Sequence, residues 1–194
     1  MERTLVLIKP DALKRGIVGE ITSRFEKVGL KIVGCKMVKV DRAFAQKHYP
    51  VTDEWYMKVG NNTLTDCEKY GIDVVKNLGT DKPLEIGKLV WKWNVDYLVS
   101  GPIIALVLEG NHAIENVRMM VGATTPTVAV PGTIRGDFSL ESAIFANSLG
   151  RAIFNLVHAS SSTDEAEREI KMWFDKSEIH DYKRLEEYLY GEQI

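Results

Sequence analysis

Cysteine is scarce: the chain has only Cys35 and Cys67, which share no Cys-x-x-Cys spacing. Neither a disulfide framework nor a cysteine-rich zinc site is available, and both thiols are expected to be buried or idle. Long hydrophobic runs are missing too. The longest wholly apolar stretch, Ile103 to Leu108, is far short of the roughly 20 residues a spanning helix needs. Met1-Glu2-Arg3-Thr4 leads straight into a strand-like segment without the layout of a secretory signal, so a soluble, cytoplasmic protein with no membrane association is expected. Neither sign of charge dominates: 27 acidic residues face 25 basic ones, for a formal charge of −2. That balance argues against a dedicated nucleic-acid or anionic-membrane binder acting through bulk charge. A glycine-rich phosphate loop is absent as well. Gly87-Lys88 is followed by Leu89, and Lys82 stands where the first glycine of GxxxxGK[ST] belongs, so this pair is expected inside a helix. The HRD and DFG strings of protein kinases, the GxSxG of hydrolases and the HExxH of zinc peptidases are missing too.

What is present fits one domain. The chain has 194 residues, and at that size folding buries roughly 70% of the extended-chain surface without help from a metal or cross-link. No repeat, low-complexity tract or linker divides it. Thr4 to Ile8 reads as a strand ended by Lys9-Pro10-Asp11. Ile17, Ile21, Phe25 and Val28 follow at helical spacing, with Gly29 as terminator. Leu30 to Val40 is β-rich, with Gly34 at a bulge position. Ile103 to Leu108 reads as a central strand, followed by a helix carrying Ile114, Val117 and Val121. Phe154 to Val157 is short enough for a last strand ending on His158. Ser162 and Glu165 then form a capping-box pattern before a helix with Ala166, Ile170, Trp173 and Phe174 on its buried face. Two such halves predict an α+β fold, a ferredoxin-like α/β sandwich: a four-stranded antiparallel sheet built by split β-α-β units, with helices on one face. A doubly wound α/β sheet is the alternative. Between Tyr49 and Ser100 the pattern predicts a helical insertion, with a short helix over 53–59 and a longer one over 83–99. A shorter insertion spans about 139–153.

The polar residues that stand at the ends of these apolar elements are Lys9, Tyr49, Arg118, Thr124, Arg135, Asn155 and His158. An imidazole at a strand end, followed by the small Ala159 and Ser160, suits a nucleophile at neutral pH, because much of it is unprotonated. Glu169, in the capped helix that packs back beside this strand, is the candidate to orient the ring, with Ser160 as a nearer partner. Lys9, Arg118 and Arg135 are cations on three segments that the topology brings toward one sheet edge, as polyphosphate recognition without a glycine-rich loop requires. His48, His112 and His180 read as structural or solvent-facing. An RNA-binding ferredoxin-like module is disfavoured by the missing aromatic-rich RNP1 string and the negative charge.

Ile8-Lys9-Pro10-Asp11, the run Gly132 to Phe138, and Asn155-Leu156-Val157-His158-Ala159-Ser160 closely resemble the nucleoside diphosphate kinases, and Arg15-Gly16, Gly19-Glu20, His48-Tyr49 and Ser100-Gly101-Pro102 agree in order. The resemblance covers 2 to about 182 and implies ping-pong transfer of the terminal phosphoryl group from ATP or another nucleoside triphosphate to a nucleoside diphosphate, through a phosphohistidine at His158. It implies that Lys9 contacts the sugar hydroxyl and the transferring phosphoryl, that Asn155 bonds the ribose, and that Tyr49, Arg118, Thr124 and Arg135 hold the phosphates. Glu169 would orient the imidazole with help from Ser160, and Mg²⁺ would arrive on the nucleotide, held by phosphate oxygens and water. Broad base tolerance and a homo-oligomer, a tetramer or hexamer, are implied too. The sequence departs from the family at Ser161, where an aspartate is usual, and at Thr125, which gives Thr124-Thr125-Pro126 for the usual Thr-Asn-Pro. The insertion after Tyr49 leaves Trp55 and Tyr56 both eligible to stack on the base.

Overall fold

Leu5 to Ile8 and Ala105 to Leu108 are apolar at every position, so a strand made from either needs cover on both faces. The computed structural model, which describes residues 1–185, supplies it. Strands β1 (Glu2–Ile8), β2 (Lys31–Val38), β3 (Ile103–Gly110) and β4 (Val157–Ala159) form one antiparallel sheet in the order β2-β3-β1-β4. This is the ferredoxin-like order, with β3 and β1 central. The register of β2 on β3 slips between Ile32 and Gly34, the bulge expected from the glycine.

Because strand side chains alternate, Val6, Ile8, Leu106 and Leu108 face one core while Leu5, Leu7, Ala105 and Val107 face another. The first core is closed by α2 (Val18–Lys27), through Ile21 and Phe25, and by α7 (Ala113–Val121), through Val117 and Val121. The second is closed by α3 (Arg42–His48), α6 (Pro83–Leu98) and α10 (Thr163–Trp173). The helices therefore lie on both faces, not on one as the sequence reading has it. Val28, expected on the buried face of α2, is 60% exposed, and Gly29 takes the left-handed turn (φ 91°) that ends the helix.

Two further departures bear on the site. The helix expected over 53–59 runs on as α4 (Asp53–Lys69), and a short α5 (Val74–Leu78) follows. The α4 and α6 backbones come into direct contact, since a Cβ on Gly60 would lie 1.9 Å from the Pro83 carbonyl oxygen and one on Gly87 would lie 2.2 Å from that of Tyr56. Gly87 is thus a helix-packing residue, as its place in α6 demands. The last strand is Val157–Ala159 rather than 154–157, so His158 sits inside β4 and not at its end. Leu156 causes the shift: it adopts φ 67°, a left-handed conformation that breaks any extension from Phe154.

Candidate active site

The strained Leu156 is pinned on both sides. Its N–H donates to Asp11 Oδ2 at 3.1 Å, and its carbonyl accepts from the Lys9 N–H at 2.8 Å. Asp11 lies in α1 (Pro10–Lys14), which follows β1 directly, and its other carboxylate oxygen accepts from the buried Tyr97 hydroxyl of α6. The turn that aims His158 is therefore held by a carboxylate 145 positions away in sequence. This is where stored backbone strain is found when function over-determines it.

Seven residues singled out in the sequence, Lys9, Tyr49, Arg118, Thr124, Arg135, Asn155 and His158, line one cleft of about 370 Å³. Trp55 lines it as well, while Tyr56 does not: it packs its ring against Trp55 and Trp91. Lys9 is buried, donates from Nζ to Asn155 Oδ1 at 2.9 Å, and lies 5.3 Å from the centre of the Tyr97 ring. The Asn155 amide in turn donates to the Thr124 carbonyl at 3.0 Å. Arg135 stands in a short helix, α8 (Ile134–Phe138), capped by Thr133. Its guanidinium donates to three backbone carbonyls, Asn155 at 3.0 Å, Gly122 at 2.9 Å and Val157 at 2.6 Å. Three of its five N–H groups are thereby used. Arg118 is exposed on α7 and makes no hydrogen bond or ion pair with a described residue.

Behind the cleft lies Glu169, fully buried on α10. Its carboxylate oxygens sit 3.0 and 2.9 Å from His158 Nε2, and Ser160 Oγ donates to Oε2 at 2.7 Å. A carboxylate only accepts, so His158 carries its proton on Nε2 and its Nδ1 lone pair is left free. Burial, reinforced by Lys9, Arg135 and Arg118, holds the His158 pKa far below the ordinary imidazole value, so the ring is neutral at physiological pH. The same burial, with Arg135 beside it, lowers Lys9 to about 7. Arg135, lowered to about 10 by burial and then Arg118, stays charged.

His48, classed from sequence among the structural or solvent-facing histidines, is structural and sits at the site. It is 1% exposed and packs edge-on against His158, with ring centroids 4.6 Å apart. Its Nδ1 accepts from Trp173 Nε1 at 3.3 Å, while Nε2 is buried without a partner. Its place immediately before Tyr49 was the one sequence signal for this. His112 and His180 are exposed. Cys35 is exposed and Cys67 buried. Among the described residues, His48, His158 and Glu169 form the one group of three with metal-ligand atoms in reach, all within 4.8 Å of one another. Nitrogen-rich and already engaged with one another, they do not suit an oxygen-seeking Mg²⁺.

The family model described as nucleoside diphosphate kinase matches residues 2–58 and 84–179. The chain belongs to that family. The kinase of Pyrobaculum aerophilum is 50% identical over 179 residues, covering 92% of this chain and 98% of the relative. The crystal structure of an NDP kinase from that organism superposes with a TM-score of 0.89 at 48% identity, over 93% of this chain and 99% of the other. A nucleoside-diphosphate kinase from Borrelia burgdorferi, solved as a transition-state mimic with vanadate and ADP, matches with a TM-score of 0.76 at 38% identity, over 96% and 94% of the two chains. As a nucleoside diphosphate kinase, the chain is a phosphotransferase that moves the terminal phosphoryl group of a nucleoside triphosphate onto a nucleoside diphosphate. The kinase model leaves 59–83 unmatched, a stretch that contains the rest of α4, all of α5 and the first residue of α6, while 139–153 lies inside the matched part. No described helix is long and apolar enough to cross a membrane.

Proposed function

We propose that His158 is the nucleophile and that transfer runs by a ping-pong route through a phosphohistidine on its Nδ1. One observation carries this reading: Nε2 is committed to a buried carboxylate, and the ring stands in a cleft lined by three cations. In the first half-reaction, the Nδ1 lone pair forms a bond to the terminal phosphorus, the bond to the bridging oxygen breaks, and the nucleoside diphosphate leaves with that electron pair. The ring becomes cationic while Nε2–H stays on Glu169, so the carboxylate stabilises the charge as it develops. The second half-reaction is the reverse, with another diphosphate as acceptor.

The transition state is loose and spreads charge over equatorial oxygens, so the protein's task is placement and charge neutralisation. Arg118 brings an uncommitted guanidinium, Arg135 the N–H groups left after its three carbonyl bonds, and Lys9 its ammonium; Tyr49 and Thr124 add hydroxyls. Lys9 and Asn155 serve the ribose, and Trp55 faces the base. Glu165 is the only carboxylate among the residues lining the cleft, and it accepts from the Ser161 N–H and hydroxyl. That donor set fits a Mg²⁺ held by phosphate oxygens and water, where it neutralises phosphate charge. We read the chain as one catalytic domain, 1–194, elaborated around the cleft by about 51–99 and 139–153. It is taken to be cytoplasmic and a tetramer or hexamer, and the exposed Val128, Val130 and Met37 supply apolar surface for contacts between copies.

Brief exposure to γ-labelled ATP and Mg²⁺ is expected to leave label on the protein that is acid-labile, alkali-stable and discharged by added nucleoside diphosphate. Label that survives acid, or none at all, would overturn the mechanism. A second expectation concerns pH. Lys9 titrates near 7 in the free protein, and phosphate favours its charged form, so nucleotide binding at pH 7–8 takes up a proton. The value of kcat/KM therefore falls as pH rises above about 7, while kcat holds to higher pH because bound phosphate raises the Lys9 pKa. Calorimetry in buffers of different ionisation enthalpy reads the uptake directly; binding without proton exchange would remove Lys9 from the phosphate site.

A further inference from the structure

Tyr97, buried in the last turn of α6, touches the catalytic network at two points. Its hydroxyl donates to Asp11, whose other oxygen holds the Leu156 N–H, and the Lys9 ammonium lies over its ring, 5.3 Å from the centre. Burial, followed by the charge of Asp11, holds the phenol well above its ordinary pKa, so it keeps the proton it donates. Tyr97 is not among the residues lining the nucleotide cleft, so any part it has in catalysis runs through these neighbours. The ring is itself fixed by packing. Phe154 lies against it with centroids 5.0 Å apart and planes 31° apart, and the Arg151 guanidinium, just past α9 (Ala143–Ser148), sits 4.1 Å from the Phe154 centre. Arg151 is held in turn by Glu141 at 2.8 Å and the Ala152 carbonyl at 2.9 Å.

Lys9 needs such support, because most of its surroundings disfavour its charge. Around it stand the Asp11 carboxylate on α1, the Arg135 guanidinium on α8, the imidazoles of His48 on α3 and His158 on β4, and the Tyr97 ring on α6. Tyr49, Arg118 on α7 and Glu165 on α10 line the same cleft. Burial and Arg135 oppose the ammonium, Asp11 favours it, and both imidazoles are neutral. An aromatic face within about 6 Å also attracts a cation, most strongly where water is excluded. Among the described residues the ammonium spends one hydrogen bond, on Asn155 Oδ1, which leaves donors for phosphate.

We propose that Tyr97 is a positioning residue for phosphoryl transfer: its ring seats the charged Lys9 ammonium toward the phosphates, and its hydroxyl, through Asp11, holds the turn that aims His158. This rests on the reading of Lys9 as a phosphate contact and His158 as the nucleophile. Asp11 accepts from Tyr97 on one oxygen and from Leu156 on the other, so the phenol fixes the rotation of the carboxylate. Without that bond the carboxylate is free to turn, and the left-handed Leu156 keeps only the Lys9 N–H on its carbonyl as a firm anchor. One side chain thereby sets both the cation that neutralises the phosphoryl group and the imidazole that takes it.

The two contacts separate by substitution. Tyr97→Phe keeps the ring and removes the hydroxyl, so kcat is expected to fall about tenfold with KM within about twofold of the parent, the mark of a misaimed nucleophile. Its effect on the pH midpoint of kcat/KM, which Lys9 places near 7, is expected to be small. Mono-, di- and trifluorinated phenylalanines introduced at position 97 then drain the face of the ring while nearly keeping its shape. Across that series the midpoint is expected to move stepwise to lower pH, by about 0.5–1 unit in all, because a cation that loses attraction gives up its proton sooner. A ring that serves only packing leaves the series flat. Should Tyr97→Phe fail to fold, fluorinated tyrosines at the same position, which keep the hydroxyl, carry the pH test. A kcat for Tyr97→Phe within twofold of the parent, or a midpoint indifferent to fluorination, overturns the proposal, and phosphoenzyme formation by the same variants shows that the kinase reading stands. A parent profile without a step near pH 7 removes Lys9 from the phosphate site, and a parent that forms no phosphoenzyme overturns the mechanism; either takes this inference with it.

Discussion

Replacing His158 by glutamine is expected to abolish phosphoryl transfer, by on the order of 10⁴-fold or more, with nucleotide affinity nearly unchanged. Glutamine is chosen because its side-chain NH₂ reaches the place of His158 Nε2 and keeps a donor on the buried Glu169, which alanine would strand. The loss should be close to complete because no neighbour can take over. Lys9 is held away from the nucleophile's task by its bond to Asn155 Oδ1. Burial pushes the Tyr49 phenol well above its ordinary pKa, so it stays protonated. The adjacent His48 has one nitrogen accepting from Trp173 and the other enclosed in protein. Label transfer and a coupled steady-state assay measure the chemistry, and calorimetry with ADP measures binding. Transfer within tenfold of the parent, with label retained on the variant, would remove His158 from the mechanism.

Much of this site is legible in sequence because its side chains stand where apolar periodicity stops. Lys9 follows the run Leu5 to Ile8, Arg118 and Thr124 lie on and just past an amphipathic helix, and Asn155 and His158 flank Leu156-Val157. Period-2 and period-3.6 patterns locate such positions without tertiary information. Cover on both sheet faces is what that reading missed, although Leu5 to Ile8 and Ala105 to Leu108 lack a polar alternation and so need helices on each side. What sequence could not supply depends on contacts between distant segments. The left-handed Leu156 that puts His158 inside β4 exists because Asp11 and Lys9 hold it. Helix α4 continues past Val59 because the bare Cα of Gly60 sits on the Pro83 backbone, and no local propensity favours glycine there. Likewise His48 gains its place from packing against His158 and Trp173, which lie on the last strand and last long helix.

Arg135 shows how a residue found by charge can carry a second task. Its side chain ties together the carbonyls of Gly122, Asn155 and Val157, which belong to the end of α7, the turn before β4 and β4 itself. Arg135→Lys keeps the charge but replaces a planar fork with one ammonium, which cannot reach three carbonyls on separate segments. Leaving buried carbonyls unpaired costs about 2–4 kcal/mol, and for a chain of this size that lowers Tm by roughly 5–15 °C. Turnover should fall with it, because Val157 and Asn155 flank the turn that aims His158, and a displacement of about 1 Å there costs on the order of 10²-fold. Both kcat and KM are expected to worsen, since the guanidinium serves bound nucleotide and transition state alike. Thermal unfolding and steady-state kinetics on the same preparation separate the two tasks. Weakened kinetics at an unchanged Tm would confine Arg135 to the phosphates. A lowered Tm with parental kinetics would make it a splint alone, and a variant matching the parent in both would deny it either role.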